Sequence, residues 1–137
     1  MAALLLLVSE FTTLYTVHLA PGGLTIDAVT THAHDFYALV PVALLVAVLA
    51  LGAGLLGSRV ALLGLAVLAV ATLCIALVGD LPDAQTTGTV IYAGRYQSAT
   101  ASPSTGFYLE TLGAILLVAV AGCGLLLAGP PRRESES

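Results

Sequence analysis

The stretch from Phe36 to Val78, FYALVPVALLVAVLALGAGLLGSRVALLGLAVLAVATLCIALV, holds a single charge, Arg59, and constrains this chain more than any other segment. A helix needs about 20 apolar residues to cross roughly 30 Å of hydrocarbon. The stretch is too long for one crossing and fits two, joined by a tight turn at Gly57-Ser58-Arg59. It predicts a transmembrane helical hairpin to which the remaining segments attach.

Composition supports the same environment. Of the 137 residues, 58% are hydrophobic and 9% are charged, whereas soluble domains carry about 25% charged residues. A chain this apolar cannot cover itself with polar surface, so the lipid bilayer is its expected solvent. Lysine is absent and arginine occurs four times. Neutralising nucleic-acid phosphates needs a basic patch, so nucleic acid is excluded as a partner. Cys74 and Cys123 read as small apolar packing residues.

Two further apolar stretches complete the expected membrane domain. Met1–Ala20 reads as a retained first helix, because it lacks the basic start of a signal peptide. Ser9, Thr12, Thr13 and Thr16 follow the spacing of one helix face, which is expected to meet neighbouring helices. Helices are predicted at about residues 1–20, 36–57, 60–78 and 107–128, with loops 21–35 and 80–106 and a polar, disordered tail over 129–137. Ala50-x-x-x-Gly54 and Ala53-x-x-x-Gly57 offer small residues at helix-contact spacing. Within 80–106, Thr89–Tyr92 and Arg95–Ser98 are β-prone and separated by Ala93-Gly94. A two-residue turn there would pair Ile91 with Tyr96 in a small hairpin.

The expected fold is therefore all-α: a four-helix membrane bundle over residues 1–128, up-down-up-down, with a small extracytoplasmic loop and β-hairpin cap. Arg59, Arg132 and Arg133 fall on one side of such a bundle and Arg95 on the other. The positive-inside rule then puts both termini in the cytoplasm, most simply across the plasma membrane.

Three polar groups are candidates for chemistry. Glu10, with Ser9 and Thr13 beside it, is an ionisable residue inside an expected span, and such residues are functional candidates by default. Its expected use is proton or cation coupling. Asp80, Asp83, Arg95 and Glu110 form an outer-face polar cluster in which Arg95 is expected to tie the long loop onto the helix ends. His32, His34 and Asp35 have the donor types of a Zn or Cu site, although the short H-x-H-D pattern has no second spaced pair of ligands.

No phosphate loop, nucleophile elbow, HExxH or haem-attachment pattern occurs. The leading expectation is a non-enzymatic accessory or scaffold subunit without a cofactor, acting through a membrane-protein partner or its own copies. A small oligomeric transporter using Glu10 is the alternative, and an outer-face metal-binding protein the second.

Overall fold

A computed structural model of the chain describes residues 1–20, 23–28 and 37–128. It begins with α1 (Ala2–Ser9), β1 (Tyr15–Ala20) and β2 (Leu24–Ala28). Helix α2 (Leu39–Leu56) and helix α3 (Arg59–Cys74) follow, and α3 continues through a π-helical turn (Ile75–Asp80) into α4 (Leu81–Ala84). Strands β3 (Thr87–Tyr92) and β4 (Arg95–Pro103) lead to α5 (Thr105–Leu127).

The architecture is mixed, and this corrects the all-α four-helix bundle. The four strands form one antiparallel sheet in the order β2-β1-β4-β3. Among the described residues, three helical segments are long and apolar enough to cross a membrane: Leu39–Leu56, Arg59–Ala84 and Thr105–Leu127. The expected helix over 1–20 stops at Ser9. At 1.5 Å per residue, α1 is about 12 Å long and too short to cross.

The reason lies in the hydroxyl run that looked like a helix face. Ser9 Oγ donates to the Leu6 carbonyl at 2.8 Å, and Thr12 Oγ1 donates to the Ser9 carbonyl at 2.9 Å. The N–H groups of Phe11 and Thr12 reach back only three residues, to Val8 and Ser9. Side chains thus take up carbonyls at the end of α1 and the turn tightens. Beyond it, Tyr15, Thr16 and Val17 are aromatic or β-branched and suit a strand. β1 finds partners on both sides, pairing Val17 with Ile26 of β2 and with Ala101 of β4.

The helical hairpin of α2 and α3 has the expected turn. Gly57 closes α2 at φ 59°, a left-handed conformation that costs glycine little. Ser58 caps α3, its Oγ accepting from the Ala61 N–H at 3.3 Å. The buried core joins α1, α2, α3 and α5 through Leu6, Val46, Leu65, Ala69, Leu117 and Ala121. The small-residue spacing at Ala50 and Gly54 does not make the helix contact, since open space surrounds Gly54. The tight helix approaches are instead Gly64 of α3 to Leu49 of α2 and Gly124 of α5 to Leu62 of α3. Outward-facing Leu44, Val48, Leu51, Val67, Val70 and Val120 are exposed. A belt of this kind around three long helices suits hydrocarbon as solvent.

The segment 80–106 is likewise no open loop. The β3–β4 hairpin pairs Ile91 with Tyr96 as expected from the sequence, and β4 continues to Pro103 along β1. Ala93 and Gly94 take φ values of 50° and 75°, the two left-handed residues of a type I′ turn.

Candidate functional site

The helices and the sheet meet where α1 ends, α2 and α5 begin and the π-helical turn closes. The Gly106 N–H donates to the Thr13 carbonyl at 2.8 Å. A Cβ added at Gly113 would meet Leu5 and Leu6. These two contacts run α1 antiparallel to α5 and bring Ser9 and Glu10 level with Glu110. Glu10, Asp80 and Glu110 are 2%, 1% and 0% exposed, so three carboxyl groups are buried around one end of the helices.

Glu10 therefore sits at the helix–sheet junction and not at the middle of a span. Its Oε2 accepts from the Leu39 N–H at 3.2 Å. That N–H opens α2, and no side chain of α2's own N-cap residue, Ala38, serves it. A carboxylate there also meets the positive end of the helix dipole. Glu10 Oε1 is buried with no hydrogen-bond partner among the described residues. Above the same junction the Phe11 and Tyr37 rings pack at 5.6 Å between centroids. Ser9 spends its hydroxyl on Leu6 and Thr13 its carbonyl on Gly106, so both shape this junction.

The outer-face cluster is divided. Asp80 ends the π-helical turn and Glu110 lies in the second turn of α5, which starts two residues earlier than expected. Arg95 is exposed at the β3–β4 turn. The length of β4, about 26 Å at 3.3 Å per residue, separates it from the start of α5, so it does not tie the segment to the helix ends. His32, His34 and Asp35 lie outside the described residues. Among the described residues, no group of three metal-ligating side chains comes together.

Asp83 belongs to a feature that spacing did not announce. It stands on α4 over one face of the sheet, beside a groove of about 290 Å³ floored by Val17, Gly88, Val90, Ala99 and Ala101 and bordered by Tyr15. Burial first, and the negative charge of Asp83 second, raise the Tyr15 phenol above its usual pKa of 10.0. Its floor is made of small side chains because Gly88 of β3 shares one face with Ala99 and Ala101 of β4, a signal visible in the sequence only once the strand register is known. The opposite face is lined by hydroxyls, with His18 Nε2 and Ser102 Oγ 3.0 Å apart.

Compared with known proteins, the chain matches no family model, no curated protein and no solved structure.

Proposed function

We propose that this membrane protein acts by association, as a non-enzymatic accessory or scaffold subunit whose helices hold a sheet at the bilayer surface for a partner protein. The observation that carries this reading is the outer edge of β3. Natural sheets protect such edges with lysine, proline, bulges or covering elements. Thr87–Tyr92 contains neither lysine nor proline, and its pairing with β4 runs without a bulge. Among the described residues no strand pairs with its other side. Ile91 and Tyr96 beside it are 67% and 80% exposed. In this reading Arg59, Arg132 and Arg133 mark the cytoplasmic side, and the sheet faces outward across the plasma membrane. The test is extraction of the tagged protein in mild detergent, followed by mass spectrometry. A stoichiometric membrane-protein partner is expected; a lone monomer under every mild extraction contradicts the reading.

Coupled transport through Glu10 is the second reading, and its buried Oε1, which has no hydrogen-bond partner among the described residues, favours it. It requires pH-dependent flux in liposomes that Glu10→Gln abolishes. Flux unchanged by that substitution removes Glu10 from the pathway.

A further inference from the structure

The edge of β3 and the groove beside Asp83 adjoin, and together they specify a kind of partner. In an antiparallel pair, residues alternate between bonding across the pair and pointing their N–H and C=O away. The Ala101 N–H donates to the Thr86 carbonyl. With the β3–β4 register, this assigns Gly88 and Val90 to bonds with β4 and leaves Thr87, Thr89 and Ile91 with main-chain groups directed outward.

Side chains alternate as well. Gly88 and Val90 lie opposite Ala99 and Gln97 and share the groove face. A strand laid along the outer edge would put the residues opposite Gly88 and Val90 over the groove. Among the described residues, the one charged side chain lining the groove is Asp83. The groove thus offers a carboxylate at Asp83, an aromatic ring at Tyr15 and a floor of small side chains. That combination receives a long side chain with an apolar stem and a cationic head, because lysine and arginine bury the stem and keep the charge at a polar mouth.

Resting on the association reading, we infer that β3 accepts an extended basic peptide of a partner protein as a fifth strand, with a lysine or arginine side chain seated in the groove against Asp83. Main-chain bonds supply affinity in this mode and the alternate side-chain pocket supplies selectivity.

The test uses the full chain in nanodiscs and fluorescence anisotropy of labelled synthetic peptides. One peptide alternates threonine and valine around a central lysine. The second carries glutamate in its place, and a third repeats the first with alternate amides N-methylated. The lysine peptide is expected to bind about tenfold or more tighter than the glutamate peptide, and the N-methylated peptide not to bind. Asp83→Asn is expected to bring the first two together. Thr89→Pro removes one outward N–H, which edge strands tolerate, and is expected to abolish binding while the β1–β4 pairing persists. Equal affinity for lysine and glutamate in the wild type overturns the inference, as does indifference to N-methylation. A dimer that Thr89→Pro dissociates also overturns it, by giving the edge to a second copy. If extraction still yields a stoichiometric partner while the peptides fail, association stands and this mode of it falls. If neither appears, both fall.

Discussion

Glu10 shows how one residue's role changes with the local path of the chain. Read as a mid-span carboxyl, it suggested ion coupling; at the end of α1 it caps α2, a helix remote in sequence. Truncation strands the Leu39 N–H, so Glu10→Ala is expected to lower stability by about 1–3 kcal/mol, measured by thermal unfolding in detergent. Glu10→Gln keeps an acceptor oxygen and is expected to lose less. An alanine variant as stable as the wild type would refute the cap. Tyr15 gives a second residue-level prediction. Its raised pKa means that the folded chain holds the phenolic proton more tightly than the unfolded one. The resulting stabilisation is complete below pH 10.0 and is lost as pH rises through the folded-state value. Phenolate absorbance, corrected by subtracting Tyr15→Phe, should show a component titrating above pH 10.0. Asp83→Asn should move it part of the way down, because burial, the larger cause, remains.

At the scale of elements, what the sequence disclosed depended on whether neighbours were needed to read it. The helical hairpin announces itself because apolarity, Gly57 and Ser58 are local signals, and the Ile91–Tyr96 register follows from a two-residue turn. The strand at Tyr15–Ala20 does not, because β1 is held by β2 and β4, and β4 lies some eighty residues away in the chain. Ser9, Thr12, Thr13 and Thr16 fit helical spacing equally well; only the back-bonded hydroxyls of Ser9 and Thr12 reveal a helix terminus. Glu10, Asp80 and Glu110 were individually visible in the sequence, but their burial at the helix ends was not. Neither was the groove, whose glycine and alanine floor needs the β3–β4 register. Two substitutions test these elements. Ala93 holds a left-handed φ of 50°, so Ala93→Gly is expected to stabilise the hairpin by about 1 kcal/mol. Gly106 is packed so tightly that an added Cβ would lie 2.8 Å from the Thr13 carbonyl oxygen. Gly106→Ala is therefore expected to cost about 1–3 kcal/mol, read as a lowered midpoint of thermal unfolding. Unchanged midpoints in both variants would contradict the hairpin and junction geometry.

For the whole molecule, the central claim is that a base of three helices long and apolar enough to cross a membrane carries a sheet assembled from two segments far apart in the chain. The apolar exterior of α2, α3 and α5 fits the first half, and the pairing of β1 with β4 carries the second. The most direct measurement is oxidative cross-linking of Val17→Cys with Ala101→Cys in a chain whose Cys74 and Cys123 are replaced by serine. Val17 and Ala101 are register partners and, by the alternation fixed at the Ser104–Leu14 bond, form a non-hydrogen-bonded pair, the closer kind. A disulfide should form in high yield within one chain, with far less for Val17→Cys combined with Thr100→Cys. A helix over 1–20 would hold Val17 away from Ala101, and failure of the first pair to cross-link while both thiols remain reactive would contradict the fold and the proposals built on it.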